Sequence, residues 1–230
     1  AQARELNRGF LSRVERGRPW LRVKLAASLD GRTAMADGRS KWITGPAARE
    51  DVQHWRARAG AILTGAATVL ADDPMLTVRL PGIEVIPPLR VVLDARLRSL
   101  ECARVRETGA PTLYLHDPAV SPPDAADAQF ASVPGTANRL DLRAVLALLA
   151  ERGINEVHTE AGATLAGALL AGGWVDELLL YQAPTLLGEH GLPLLSGLGI
   201  HTMGQQRRMQ VIQQVQVGED QRLLLRPQTE

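Results

Sequence analysis

The chain has 230 residues, 45% hydrophobic and 22% charged, a composition that excludes a disordered protein and suits one α/β domain with a sizeable core. The formal net charge of +1 excludes a broad positive field, so we expect neither nucleic acid nor a membrane as a partner. A single cysteine excludes an internal disulfide and a cysteine-rich zinc cluster, which favours a reducing, cytoplasmic location and no bound metal.

The N-terminal region lacks the marks of a targeting segment. The first eighteen residues carry several arginines and no apolar core of a signal peptide. No run of about 18 uncharged apolar residues predicts a transmembrane helix. Because the chain begins with alanine, we expect it to be a piece of a longer protein. We interpret residues 1–18 as a linker remnant or N-terminal extension and residues 19–230 as a single domain.

The first half of that domain alternates between strand and helix patterns. Residues 21–29 alternate apolar and polar side chains, which predicts a strand with Arg22 and Lys24 on its polar face. Pro46 follows Thr-Gly and predicts a helix start, because proline is favoured at the first helical position. Further strands are predicted over residues 61–64, 89–93 and 112–115, with a brief helix through Val69 and Leu70.

The second half continues the pattern after a gap. Residues 117–135 are rich in proline and without periodicity, which predicts a loop. Asp141 predicts the N-cap of an amphipathic helix that ends before Gly153. Strands 156–159 and 177–182, helix 164–170 and a terminal hairpin of strands 210–217 and 222–225 follow. The alternation predicts a mostly parallel sheet in a three-layer α/β/α sandwich, finished by the antiparallel hairpin.

Several polar residues fall where ligands bind in such folds. Residues 162–167 are rich in glycine and alanine and open a helix after a strand, where backbone N–H groups and the helix dipole favour an anion. Close packing on the sheet is the more common reason for such a helix start, and the segment lacks the Rossmann spacing. Glu160 ends the preceding strand and is either a ligand contact or a solvated carboxylate. Lys24 is either an exposed strand lysine or a partner of Glu160 in holding a ribosyl group and moving protons.

Arginine and aspartate residues offer further candidates. Arg56 and Arg79 could clamp a phosphate through charge-assisted hydrogen bonds, or each is an ordinary surface arginine. Asp72 and Asp73 precede a proline, so a turn explains them more simply than a metal site. Asp72 as an acceptor for ribose hydroxyls is an alternative.

Taken together, these segments resemble the reductase domain of the bifunctional riboflavin-biosynthesis deaminase-reductase. The resemblance runs in order from about residue 6 to about residue 199. It rests on residues 24–34 (KLAASLDGRTA), 40–44 (SKWIT), 51–53 (DVQ) with 56–57 (RA), 67–74 (ATVLADDP), 76–79 (LTVR), 160–168 (EAGATLAGA) and 175–178 (VDEL).

The resemblance implies a dihydrofolate-reductase-like fold, NADPH as hydride donor, and reduction of 5-amino-6-(5-phosphoribosylamino)uracil to the ribitylamino product. It implies substrate contacts from Ser40, Arg56, Leu76, Arg79 and Glu160. It implies NADPH contacts from Ala26, Trp42, Thr68, Asp72, Gly162, Ala163, Thr164, Leu165, Ala166, Gly167 and Ala168. Lys24 and Glu160 are the candidates for catalytic assistance.

Two departures from the family pattern matter. Family members often carry serine after the aspartate that ends the central strand, whereas here Asp94 is followed by Ala95. The contact to the NADPH 2′-phosphate therefore stays open, with Arg96 or Arg98 as alternatives. The zinc deaminase motif Pro-Cys-x-x-Cys is absent from the sequence, which has a single cysteine, so we expect no deamination by this chain. A deaminase domain or protein is an expected partner.

Alternative functions stay open. One is a related reductase on the same fold, acting on dihydrofolate or on a 2,5-diaminopyrimidine ribosyl phosphate before deamination. Another is a non-catalytic domain that dimerises or supports a deaminase. We expect a homodimer, because the apolar strand at residues 175–181 and the ribbon at residues 210–225 could form a subunit interface.

Overall fold

The computed structural model describes residues 2–102, 104–107, 109–136 and 139–228. Ala1 and Glu230, the ends of the predicted extension and of the predicted domain, lie outside the described residues. The chain divides into two compact units. Unit 1 comprises Ala1–Trp20 and His54–His158, and unit 2 comprises Leu21–Gln53 and Thr159–Glu230.

Helices and strands alternate through most of the chain. The helices are α1 (Gln2–Leu6), α2 (Arg8–Arg16), α3 (Pro46–Ala57), α4 (Ala66–Asp72), α5 (Leu142–Glu151) and α6 (Ala163–Ala171). The strands are β1 (Trp20–Ser28), β2 (Arg32–Ala34), β3 (Ala61–Gly65), β4 (Leu89–Leu93), β5 (Thr112–His116), β6 (Gln129–Ser132), β7 (Gly135–Thr136), β8 (Arg139–Leu140), β9 (Glu156–Glu160), β10 (Glu177–Ala183), β11 (Leu192–Pro193), β12 (Met209–Val217) and β13 (Asp220–Pro227).

In unit 1 the strands β9, β3, β4, β5 and β6 lie side by side in that order. The pairs β3–β4, β4–β5 and β5–β6 are parallel. One cluster of this unit's core contains Ile62, Val92 and Tyr114, with Leu76 and Leu97 from the loops that follow α4 and β4. Short buried strands rich in β-branched and leucine side chains thus form the centre of unit 1.

In unit 2 the strand order is β12, β13, β10, β1. Strands β1 and β10 are parallel, whereas β10–β13 and β12–β13 are antiparallel. The register places Arg22 opposite Glu177, Lys24 opposite Leu179, and Ala26 opposite Tyr181. Side chains of alternate residues share one face of a sheet, so these six belong to the same face.

The mostly parallel α/β sheet with a C-terminal antiparallel hairpin is confirmed. The loop prediction for residues 117–135 was wrong in part, because Gln129–Ser132 forms β6 beside β5. This strand has four residues, lies at the sheet edge and buries none of them fully, so it lacks the apolar pattern that marks a strand. Residues 2–16, predicted as an extension, form α1 and α2.

A group of three charges, of which Arg22 and Glu177 are fully buried, joins three strands of unit 2. Arg22 donates from Nε and Nη2 to Oε2 of Glu177, at 2.9 and 2.7 Å. Arg226 donates to the other oxygen, Oε1, at 2.9 Å from Nη2. Arg22 and Glu177 have 0% exposed surface. The sequence predicted Arg22 on the polar face of β1, but the side chain is buried. Glu177 supplies the opposite charge that a buried arginine requires.

The described part of the chain contains no helix that could span a membrane. None of the helices there combines the length and the apolar composition that crossing a bilayer requires.

Glu177→Gln should lower the free energy of unfolding by about 3–5 kcal/mol, because it leaves the buried Arg22 and the half-buried Arg226 without their compensating charge. Urea denaturation of wild type and variant measures the difference. The matched control is Glu189→Gln, at an exposed glutamate, which should change stability by less than about 0.5 kcal/mol. Equal effects of the two substitutions would contradict a stabilising role for the buried charges.

Candidate functional site

Lys24 lies in unit 2 beside a buried tyrosine. Its ammonium nitrogen is 5.8 Å from the centroid of the Tyr181 ring. Tyr181 is fully buried, whereas Lys24 and Ala26 are half-buried. The second half of β1 thus presents a cation held above an aromatic ring, an arrangement that attracts the ammonium group electrostatically.

The hydroxyl group of Tyr181 belongs to a charged hydrogen-bond network. It donates to Oδ2 of Asp51 at 2.5 Å. Arg222 donates from Nη1 to both carboxylate oxygens of Asp51, at 2.9 and 2.8 Å. Burial, and then the hydrogen bond to Asp51, raise the pKa of Tyr181 far above its usual range. The tyrosine is therefore neutral at physiological pH and acts as a hydrogen-bond donor to the carboxylate.

The loops that follow β1 and β10 are joined through Asp30. The carboxylate accepts hydrogen bonds from the Ser28 hydroxyl at 2.5 Å and from the backbone N–H groups of Leu187 and Gly188, the latter at 2.7 Å. The Ser28 hydrogen bond, helped by the two backbone bonds, lowers the pKa of Asp30 to about 2. A charged Asp30 therefore fixes both loops beyond the carboxyl ends of these parallel strands.

The segment that bears Ser40 and Trp42 precedes α3. The Trp42 side chain is 70% exposed, and the Arg49 guanidinium lies 4.5 Å from its ring centroid. Arg49 also donates to the carbonyl of Thr44 at 2.7 Å. Ser40 is half-buried. Trp42 thus offers a large flat surface held against an arginine, which suits stacking with a planar group.

Glu160 and the start of α6 follow each other at the carboxyl end of β9. Glu160 is half-buried, and Gly162 is the N-cap of α6. A Cβ atom at Gly162 would meet open space, and Thr164 is exposed. The first turn is uncharged, so nothing in it opposes an anion at this helix end.

Gly167, in the middle of the same helix, has a different environment. A Cβ atom there would lie 1.8 Å from the carbonyl oxygen of Ser196. The backbone N–H of Ser196 also donates to the carbonyl of Ala163 at 3.2 Å. The sequence offered two explanations for the glycine-rich segment, close packing and an anion site at the helix start. Gly167 fits close packing, whereas Gly162 fits an accessible helix end.

In unit 1, Arg56 is not a surface residue. It is 8% exposed and donates from Nη1 to the carbonyl of Thr77 at 2.8 Å. Leu76 packs into the unit 1 core with a positive φ of 49°. Arg79 is exposed in the same segment. Arg56 therefore holds the backbone of the segment that carries Leu76 and Arg79.

The remaining cofactor candidates of unit 1 lie on and after α4. Thr68 is half-buried, and Asp72 is exposed at the last position of the helix. Asp73 caps the helix in a left-handed conformation, and its carboxylate accepts from the backbone N–H of Arg104 at 3.2 Å. The turn explanation for the aspartate pair is thus confirmed for Asp73.

The turn after β4 is built on a buried aspartate. Asp94 is 2% exposed, and its Oδ2 accepts from the backbone N–H and the hydroxyl of Ser99, both at 2.7 Å. Arg96 and Arg98 are exposed on this turn. Among the described residues, no group of three His, Cys, Asp or Glu side chains is arranged to hold a metal ion.

Sequence reasoning missed four residues of this neighbourhood. They are Arg49, Asp51, Tyr181 and Arg222, whose contacts join residues up to 171 positions apart. Asp51 lies in a recognised motif, but its partners depend on strand register. A tyrosine in a predicted core strand was the one available signal, because a buried hydroxyl group needs a hydrogen-bond partner.

A family model, the RibD C-terminal domain, matches residues 19–222. Riboflavin biosynthesis protein RibD of Escherichia coli (strain K12) is 44% identical over 211 residues, covering 86% of this chain and 58% of that protein. The chain thus spans less than two thirds of this relative.

Solved structures give the same result. The Acinetobacter baumannii RibD structure (form 1) is 39% identical with a TM-score of 0.84, covering 99% of this chain and 63% of that one. A Thermotoga maritima structure, described as a diaminohydroxyphosphoribosylaminopyrimidine deaminase/5-amino-6-(5-phosphoribosylamino)uracil reductase, is 28% identical with a TM-score of 0.84 and covers 98% and 61%. A riboflavin biosynthesis reductase of Saccharomyces cerevisiae, 19% identical with a TM-score of 0.72 and coverage of 99% and 100%, shares the fold. The predicted resemblance and the dihydrofolate-reductase-like α/β/α fold class are confirmed.

Gly167→Ala should destabilise the protein by about 1–3 kcal/mol, because the new methyl group overlaps a backbone carbonyl that cannot move freely. This cost exceeds the gain of about 1 kcal/mol from the better helix propensity of alanine. Gly162→Ala is the matched control and should change stability by less than about 1 kcal/mol. Thermal unfolding of both variants checks this, and equal melting temperatures would refute the packing role of Gly167.

Asp30→Asn should reveal a pH-dependent contribution of the loop anchor. The pKa of Asp30 is lower in the folded state than the ordinary value of 3.8, so its charge stabilises the folded state above that value. The stability difference between wild type and variant should shrink as the pH falls from about 4 towards 2. Denaturation midpoints over this range measure it, with Asp124→Asn at an exposed position as control. A difference independent of pH would argue against the charged anchor.

Proposed function

The chain belongs to the RibD C-terminal domain family, and from this membership we propose that it is a reductase of riboflavin biosynthesis. It reduces 5-amino-6-(5-phosphoribosylamino)uracil to 5-amino-6-(5-phosphoribitylamino)uracil with NADPH. The observation that carries the proposal is the match over residues 19–222, together with the similarity to the Thermotoga maritima deaminase/reductase.

The residues fit a dinucleotide. The accessible, uncharged start of α6 at Gly162 suits a pyrophosphate, and the exposed ring of Trp42 suits a planar group. When bound, NADPH supplies the hydride. We propose that the cofactor is held by Ala26, Trp42, Thr68, Asp72, Gly162, Ala163, Thr164, Leu165, Ala166, Gly167 and Ala168. Within this group Gly167 contributes by packing α6 on the Ser196 backbone.

Lys24 and Glu160 are proposed to assist the chemistry. Reduction of the opened sugar adds hydride to C1 of a C=N bond and a proton to the nitrogen, giving the ribitylamine. Lys24 carries a proton on its ammonium group, and Glu160 can accept hydrogen bonds from ribosyl hydroxyl groups. Lys24 is thus the proposed proton donor and Glu160 the proposed residue that orients the sugar.

The remaining substrate residues divide by their surroundings. Arg79 has an exposed guanidinium group and is the proposed phosphate ligand. Arg56 already donates to the Thr77 carbonyl, which supports a role in holding the segment that presents Arg79. Ser40 and Leu76 are retained as proposed substrate contacts, with Leu76 offering its backbone because its side chain is buried.

The whole assembly is also a matter of proposal. We propose a homodimer, supported by β12, an edge strand of unit 2 on which Val211 and Ile212 are 55% and 41% exposed. We propose a deaminase domain or protein as partner, because the similar Thermotoga maritima chain is described as both deaminase and reductase. The cytoplasmic location stays a prediction from the single cysteine.

Oxidation of NADPH should occur with the ribosylaminouracil phosphate and not with dihydrofolate, which lacks a phosphate for Arg79. Lys24→Ala should lower kcat by about 10²-fold or more, the usual scale for losing an acid–base group. Glu160→Ala should lower kcat by about 10²-fold through loss of substrate orientation. Absorbance at the NADPH band measures the rate.

The control is Glu219→Ala, at an exposed turn glutamate, which should retain the wild-type rate. Turnover of dihydrofolate alone would favour the related reductase, and turnover of the 2,5-diaminopyrimidine ribosyl phosphate alone would place the enzyme before deamination. If fluorescence titration shows no saturable NADPH binding, the alternative function as a non-catalytic dimerisation domain would be favoured.

A further inference from the structure

The Lys24 ammonium group lies against the ring of Tyr181. The nitrogen lies 5.8 Å from the ring centroid, within the range of a cation–π attraction. A lysine side chain has four rotatable bonds, so an ammonium group without a fixed neighbour samples many positions. Tyr181 is fully buried, which makes its ring a rigid surface against which the Lys24 ammonium group lies.

The ring itself is fixed by its hydroxyl group. Asp51 on α3 accepts the Tyr181 hydroxyl at 2.5 Å and is held by two hydrogen bonds from Arg222 on β13. Arg222 in turn donates from Nη2 to Oε1 of Gln213 on β12, at 2.8 Å. The contacts therefore run from β12 through β13 and α3 to the ring and end at Lys24.

We propose that Tyr181 is a positioning residue for Lys24, and that Asp51 and Arg222 set the position of its ring. This proposal rests on the proposed function, because it assumes that Lys24 acts on the substrate. Tyr181 transfers no proton in it. The tyrosine restricts where the ammonium group rests before the substrate arrives, so loss of the ring or of its anchor costs rate through orientation.

The kinetic test uses Tyr181→Phe and Asp51→Asn, which keep the shape of the core. Each removes or weakens the hydrogen bond that anchors the ring and should lower kcat by about two- to tenfold, the rate equivalent of one hydrogen bond, while the KM for NADPH stays unchanged. Tyr181→Leu removes the ring and should lower kcat at least as much. The matched control is Tyr114→Phe, at the chain's other tyrosine, which is also fully buried and should leave kcat at the wild-type value.

A second measurement reports the geometry without substrate or cofactor. The chain has two lysines, Lys24 and Lys41, so reductive methylation with ¹³C-formaldehyde gives few signals in a ¹H–¹³C spectrum. Lys41→Arg assigns them. The Lys24 methyl signal should be shifted upfield by the ring current of Tyr181 and should return towards the free-lysine position in Tyr181→Leu. This change tests the contact between Lys24 and Tyr181, whereas the fall in kcat at unchanged KM tests whether that contact matters for the reaction.

The results separate the inference from the function on which it rests. Reduced kcat in Tyr181→Phe and Asp51→Asn with a ring-current shift of Lys24 supports the positioning role. Wild-type kcat in both variants, or a Lys24 signal unaffected by Tyr181→Leu, overturns it. Should Tyr181→Leu fail to fold, the two conservative variants decide. A wild-type chain that does not reduce the ribosylaminouracil phosphate refutes the proposed function, while the NMR signal still tests the contact.

Discussion

The carboxylate of Glu177, buried between Arg22 and Arg226, fixes the strand register on which the structure of unit 2 depends. Each arginine binds one of its two oxygens, so the three strands that carry them are joined in one register. A slip by one residue would turn every side chain of a strand to the opposite face, and it would also separate the buried charges. The cost of an unpaired charge therefore protects the pairing of β1 with β10.

This register also brings Lys24 close to Tyr181. With Arg22 opposite Glu177, residue 26 of β1 comes to lie opposite Tyr181, and Lys24 lies close enough to contact the ring. Burial then decides the protonation state of Tyr181. The tyrosine keeps its proton because the buried position disfavours its anion, and Arg222 donates hydrogen bonds to both oxygens of Asp51. Arg22 of the buried ion pair and Lys24, the proposed proton donor, thus lie two residues apart on β1.

The fold was predictable from the sequence wherever one local rule decides the structure. Asp141 was predicted as a helix N-cap, and its carboxylate accepts from the backbone N–H of Arg143 at 2.9 Å. The edge strand β6 was missed because pairing with β5, and no apolar pattern of its own, makes it a strand. At the candidate site the sequence identified Lys24 and Glu160, whereas the burial of Arg22 and Arg56 and the contact of Asp51 with Tyr181 depend on partners far along the chain. These contacts could not be predicted because the partners lie far apart in the sequence, and not because the interactions are weak.

The two glycines of the α6 segment will have different histories among related sequences. Gly167 has a carbonyl oxygen where a side chain would begin, so substitutions there are removed by selection on folding whatever the protein binds. Gly162 faces open space, and a change there is removed only where a ligand needs that space. A lineage that loses its ligand while keeping its fold should therefore retain glycine at 167 and drift at 162. The pair would then serve as a record of which lineages still bind a ligand at this helix end.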